Sequence, residues 1–226
     1  MKIHPYLAGL AALACLAGCS GEPVAAPAAQ QPAPAAAVAA PAEQAVTTDL
    51  ELVAAAAKTK YVFPVKAKNV SYHKTHSGYP ATDIFAACGK PFLATTNGVV
   101  LEVSRVDKYK KNGPDGPYNG GKFVSILGDD GVRYYGSHLS VVGTGIKKGV
   151  RVKAGQQVGK VGKTGNSSGV CHVHYGISPA CKKTGDWKVR RGVVWPASYL
   201  TSWRKGGAKS PAAAVKAWNA KHKCKA

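Results

Sequence analysis

Positions 171–175 read Cys-His-Val-His-Tyr and follow the loop Gly165-Asn166-Ser167-Ser168-Gly169. In an extended strand successive side chains alternate faces, so His172 and His174 project the same way, about 7 Å apart. Two imidazoles so placed can serve one reaction centre as two metal ligands, or as one ligand and one proton carrier. His76, Asp83 and His138 stand upstream, each in a Gly- or aromatic-rich context. A catalytic zinc takes three ligands from His, Asp or Glu and keeps one position open. It lowers the pKa of its water to about 7 and polarises the carbonyl under attack. Hydrolysis also needs a group that moves a proton and one that steadies the oxyanion. This set holds enough for a three-ligand metal plus two unligated imidazoles, and spacing alone leaves open which rings hold the ion.

These residues need a scaffold, and the chain between 60 and 178 shows no helical periodicity. It reads as short apolar runs separated by Gly turns. Phe92-Leu-Ala94 leads to an Asn97-Gly98 turn signal and then to Val99-Val-Leu-Glu-Val103. Phe123-Val-Ser-Ile-Leu127 turns at Gly128-Asp-Asp-Gly131 and returns as Val132-Arg-Tyr-Tyr135, the pattern of a hairpin. Around Gly155, Val150-Arg-Val-Lys-Ala and Gln156-Gln-Val-Gly159 suggest two short strands joined by a turn. The expected class is mainly β, an antiparallel sandwich or two-layer sheet. Gly162-Lys163-Thr164 imitates the end of a phosphate-binding loop. That pattern requires a glycine where Gln157 stands, and no helix pattern follows, so it is not a nucleotide site.

The N-terminus speaks to compartment. Lys2 precedes a short apolar run ending in Leu16-Ala-Gly-Cys19, too short to span a bilayer and in keeping with a secretory signal over 1–18. The small residues before Cys19 have the form of a lipobox, with Cys19 diacylated as the mature N-terminus. Residues 19–46 are rich in Ala and Pro, with Glu22 and Glu43 as the charges, and would form an extended tether. Thr48-Asp-Leu-Glu51 has the spacing of a capping box and predicts a short helix within 47–60. The main domain is expected over 61–200 and a basic helical tail over 201–226, where Ser210-Pro211 signals a helix start and Val215 and Trp218 share a face.

The chain carries 31 Lys and Arg against 11 Asp and Glu, a formal charge of +20 that becomes +19 once Lys2 leaves with the signal. So basic a surface calls for an anionic partner. An exported chain meets wall polymers and lipid headgroups rather than nucleic acid. Export also permits disulfides. Pairing Cys171 with Cys181 would close a short loop behind the His-x-His strand, leaving Cys88 with Cys224 to pin the tail. Strand alternation turns Cys171 away from the two histidines, which argues against a metal-ligand role.

Taken in order, His76-Ser-Gly-Tyr-Pro-Ala-Thr-Asp83, Gly89-Lys-Pro, Asn97-Gly-Val-Val, Tyr135-Gly-Ser-His138-Leu, the Gly155 turn, Gly162-Lys-Thr-Gly165, Cys171-His-Val-His174 and Trp195-Pro-Ala-Ser-Tyr-Leu200 resemble the lysostaphin-type (LytM-like) zinc metalloendopeptidases of peptidoglycan. The resemblance implies a duplicated hybrid motif, a barrel-sandwich with the site in an open groove. It implies one Zn2+ per domain on His76, Asp83 and His174. It leaves His138 and His172 as the free histidines, one of them the general base and both steadying the transition state. The common family pattern puts three residues between the first histidine and the aspartate, whereas six separate His76 from Asp83, which makes His73 a rival ligand.

The implied function is hydrolysis of peptide cross-links by a lipid-anchored enzyme with zinc-activated water as nucleophile. Its partners would be peptidoglycan, anionic wall polymers and, through Cys19, a membrane, with no nucleic acid and a monomeric state. The alternative is a silent family member that binds the wall or activates wall amidases. A third reading, a basic adhesin, leaves the histidines unexplained.

Overall fold

The computed structural model describes residues 59–181 and 186–226. The leader, Cys19, the tether and all but the last two positions of the 47–60 segment lie outside the described residues.

The domain is mainly β, as expected. One antiparallel sheet takes β1 (Ser71–Tyr72), β2 (Thr82–Phe85), β4 (Gly98–Ser104), β5 (Phe123–Gly128), β6 (Val132–Ser137), β8 (Arg151–Val152) and β10 (His172–Pro179) in the order β1-β2-β10-β6-β5-β4-β8. A second, three-stranded sheet has β9 (Gln157–Lys160) between β3 (Pro91–Leu93) and β7 (Val141–Val142). Three helices follow, α1 (Trp187–Arg190), α2 (Ala197–Arg204) and α3 (Ala212–His222). Among the described residues no helix is long and apolar enough to cross a membrane.

The hairpin of β5 and β6 forms where the sequence predicts it, closed by Gly131 in the left-handed region (φ 75°) with its N–H on the Gly128 carbonyl. The strands flanking Gly155 also form, but they do not pair with each other. β8 joins β4 in the large sheet and β9 joins β3 and β7 in the small one. The Gly155 turn therefore carries the chain from one sheet to the other.

Period-2 alternation sorts the large sheet into two faces. On β10, Val173, Tyr175 and Ile177 are fully buried in the apolar core shared with Phe92, Leu139 and Val158 of the small-sheet region. Gly136 on β6 permits this packing, because a Cβ there would sit 2.1 Å from the Phe92 ring. The other face carries His172, His174, Asp83, Tyr135 and Ser137, brought together by the register of the central strands.

Two expectations are corrected by the fold. The boundary at 200/201 falls inside α2. Trp203 is buried, stacks on Tyr61 at 5.4 Å and donates from Nε1 to the Lys209 carbonyl, so the tail is part of the core rather than an appendage. Its helix does form, with the Ser210 hydroxyl accepting from the Ala212 N–H at 3.2 Å. Val215 is buried, and Trp218 is half-buried against His222.

The disulfides are Cys88–Cys171 and Cys181–Cys224, not Cys171–Cys181 and Cys88–Cys224. Cys171 and Cys181 flank the fully extended β10, whose eight residues hold their ends roughly 25 Å apart. The antiparallel register instead pairs His172 with Phe85, which brings Cys171 beside the exit of β2 and Cys88.

Candidate metal centre and active site

His76, Asp83, His138, His172 and His174 line one cleft of ≈ 310 Å³ on the outer face of the large sheet. β2 and β10 place the central pair, with Asp83 directly opposite His174 in the antiparallel ladder. The Asp83 Oδ1 atom lies 3.1 Å from His174 Nδ1 and 3.8 Å from His172 Nε2. His76 arrives from the segment before β2, its Nε2 atom 4.0 Å from Asp83 Oδ2 and its ring 4.9 Å from that of His174. Each of His76, Asp83 and His174 offers a donor atom within 4.8 Å of the other two. Among the described residues this is the group that could hold a metal ion. The rival His73 lies exposed against Phe85, at 5.2 Å between rings, and is outside the group.

The donor set fits a cation for a reason visible in its hydrogen bonds. His174 Nε2 lies 2.9 Å from the Arg191 carbonyl, which can only accept, so that nitrogen carries the proton. The lone pair of Nδ1 is then turned on Asp83 Oδ1 at 3.1 Å. Two acceptors this close hold together around a shared cation or a second imidazole proton. Two nitrogens and a carboxylate oxygen suit zinc.

His138 and His172 are arranged the opposite way. His138 donates Nδ1–H to the Thr164 carbonyl at 2.7 Å, and His172 donates Nδ1–H to the Val170 carbonyl at 3.0 Å. Both therefore keep the Nε2 lone pair for other work, with ring centres 4.7 Å apart. Burial drives His138 down to about 3, and the nearby His174 and His172 add to the effect. Burial also lowers His172, as it does His76, where His174 adds to it. For Asp83 burial works to raise the carboxyl, but the neighbouring imidazoles, His174 foremost, outweigh it and the net direction is down. Neutral imidazoles beside an ionised carboxylate can bind a cation and accept a proton.

His138 sits just past β6 in the left-handed region, at φ 63°. Such a conformation in a non-glycine residue persists only where the surroundings impose it. Here its N–H is held by the Gly120 carbonyl and its neighbour Leu139 is buried in the core. The Gly162-Lys-Thr-Gly165 turn explains itself in this contact. A Cβ on Gly162 would lie 2.1 Å from the Ser140 nitrogen, so glycine lets the turn close on the His138 backbone and present the Thr164 carbonyl.

Residues 74–185 match the model of peptidase family M23. The domain belongs to that family. No curated protein matches the chain. A putative glycyl-glycine endopeptidase, lytM, from Ruminococcus gnavus has the same fold, with 22% identity and a TM-score of 0.51 over 74% of this chain and 70% of its own. The catalytic domain of the antimicrobial peptidase lysostaphin from Staphylococcus simulans is 25% identical, with a TM-score of 0.46 over 59% of this chain and 94% of its own. The M23 match and the donor set together make the chain a metallopeptidase.

The matched M23 segment contains all five site residues but stops short of groups that build the same cleft. Trp187, Arg190 and Arg191 lie beyond it and line the cleft together with Tyr79 and Tyr135 inside it, and the sequence alone gives none of these five a role in the site. One signal for Arg191 lies in β10 itself. Gly176 shares the site face, two residues beyond His174, and a Cβ there would meet the Arg191 carbonyl at 2.4 Å. The missing side chain admits that carbonyl to His174. A glycine in a buried central strand marks such a close backbone approach.

Proposed function

We propose that this M23 peptidase is a zinc endopeptidase that hydrolyses peptide cross-links of bacterial peptidoglycan from a lipid anchor in the cell envelope. The observation that carries the reading is the meeting of His76, Asp83 and His174 donors within 4.8 Å beside two neutral imidazoles. Zinc bound there supplies a Lewis acid that polarises the peptide carbonyl and makes water acidic enough to attack it.

The chain's own groups supply the rest. His174 presents Nδ1 because the Arg191 carbonyl holds its other nitrogen, and Asp83 contributes the negative charge of the donor set. His138 and His172 keep Nε2 unprotonated, so either can take a proton from the attacking water and hand it to the leaving amine. Their closeness allows one ring to move the proton while the other steadies the developing oxyanion. The open cleft between loops at 115–120 and 166–168 admits an extended peptide. The lipobox at Cys19, the tether and the basic surface supply the reason to place it on a membrane facing an anionic wall.

Purified sacculi test the reading. The protein should release peptide fragments, lose this activity with a chelator and regain it with zinc. Full activity of His174→Ala on the same sacculi would sink the assignment. Palmitate labelling in the producing cell should mark the wild type and not Cys19→Ser.

A further inference from the structure

Adjacent arginines at the end of α1 both line the cleft, and they differ in what occupies them. Arg190 is buried and spoken for. It pairs with Glu102, donates from Nη2 to the Pro117 carbonyl at 3.2 Å and lies over the Phe123 ring at 4.3 Å. Arg191 makes no ion pair, and its side chain makes no hydrogen bond, among the described residues. Its Nε atom, like that of Arg190, is buried without an acceptor. The guanidinium is nonetheless held in place, 3.7 Å from the Tyr79 ring centre and 4.9 Å from that of Trp187.

The backbone beneath it is fixed as well. Its carbonyl accepts from His174, and the next residue, Gly192, adopts φ 131° where a Cβ would lie 2.3 Å from the Pro80 carbonyl oxygen. The result is a rigid cation with no counter-charge paired to it among the described residues. The cleft's acids are otherwise engaged, Asp83 among the histidines and Asp115 with Asn119 at 2.8 Å. An arginine oriented by two aromatic rings and lacking an internal partner fits recognition of a planar anion. Tyr79 ties it to the reaction centre, with its ring 4.4 Å from His76 and 5.7 Å from His174.

We propose that Arg191 is a specificity-determining residue that binds a free carboxylate of the substrate flanking the scissile amide. This rests on the peptidase reading and narrows it to a substrate class. The preferred cross-links would be those formed on a diamino acid whose amine-bearing carbon also bears a carboxylate. Glycine bridges, and side-chain amines on a plain methylene, offer no such group near the bond that breaks.

Two synthetic cross-linked peptides, identical except for carboxylate or carboxamide at that carbon, test it with the full-length protein. Wild type should favour the carboxylate peptide in kcat/KM by about tenfold or more, the ordinary worth of a charge-assisted hydrogen-bond pair. Arg191→Gln should bring the ratio to within about twofold of unity, and Arg191→Lys should retain part of it. Equal cleavage of both peptides by wild type, or an unchanged ratio in Arg191→Gln, would overturn the inference and leave the peptidase reading standing. Cleavage of neither peptide by zinc-loaded wild type would overturn both. The wild-type comparison decides the matter even if a variant fails to fold.

Discussion

Asp83, His172 and His174 ride on paired strands, whereas His76 and His138 stand on loops that other segments must hold. In the strand half, ladder register sets the geometry, since one hydrogen-bonded pairing of β2 with β10 puts Asp83 opposite His174. The Cys88–Cys171 bridge ties the same two strands at the end beside His172. In the loop half no ladder acts. His138 depends on backbone groups from the Gly120 and Thr164 segments and on a left-handed conformation. Strands thus supply fixed spacing, and loops supply reach toward the same cleft from distant parts of the chain. A donor set within 4.8 Å drawn from both kinds of support needs its packing intact to stay assembled.

Substitutions in the two halves should separate by what they remove. His174→Ala or Asp83→Ala should lose both bound zinc and activity, read by elemental analysis of the purified protein alongside fragment release. His138→Ala should retain zinc and lose about 10²–10⁴ in kcat, the usual span for a positioned acid–base group. Zinc loss in His138→Ala would erase the distinction between metal-facing and proton-handling imidazoles.

Gly176→Ala sharpens the comparison from the strand side. The added methyl must displace the Arg191 carbonyl from its 2.4 Å approach and release His174 Nε2. Loss of such a supporting contact typically lowers metal affinity by about 10–100-fold. Competition with a chromogenic chelator would measure it, and unchanged affinity would show that β10 alone orients the ring. Replacing Cys88 and Cys171 with serine should destabilise the fold by about 2–4 kcal/mol in denaturant titrations, and an unchanged midpoint would show that the bridge does not brace the strand half.

The smallest effect concerns pH. His138 is held near 3 in the metal-free fold against about 6.5 when unfolded, so below 6.5 the unfolded chain binds more protons. Its contribution to stability is full above pH 6.5 and is lost as the pH falls toward 3. Metal-free wild type should lose thermal stability between pH 6.5 and 4, and His138→Gln should lose less over that window. Equal slopes would show that other groups govern the acid response.

Much of the strand half was legible in advance. A period of two is enough to put His172 and His174 on one face and Cys171 on the other, because alternation is a property of extended backbone. The Gly128–Gly131 hairpin could be read for the same local reason. The disulfide pairing is not legible in the sequence, because nearness along the chain says nothing about an eight-residue strand that holds Cys171 and Cys181 apart. A division at 200 does not hold, because Trp203 is buried against Tyr61, a residue more than a hundred positions away in the sequence.

By itself the sequence determined the mainly β class and offered the five chemistry-bearing side chains as candidates. Those follow from residue type and local period. The tertiary structure alone decided which imidazole nitrogen faces Asp83, how His138 is braced, and that Arg191 stands clamped between Tyr79 and Trp187 with no ion pair among the described residues. A tautomer is set by whichever carbonyl reaches the ring, and a cation's freedom by whichever carboxylates fail to reach it. Both depend on segments far apart in the chain.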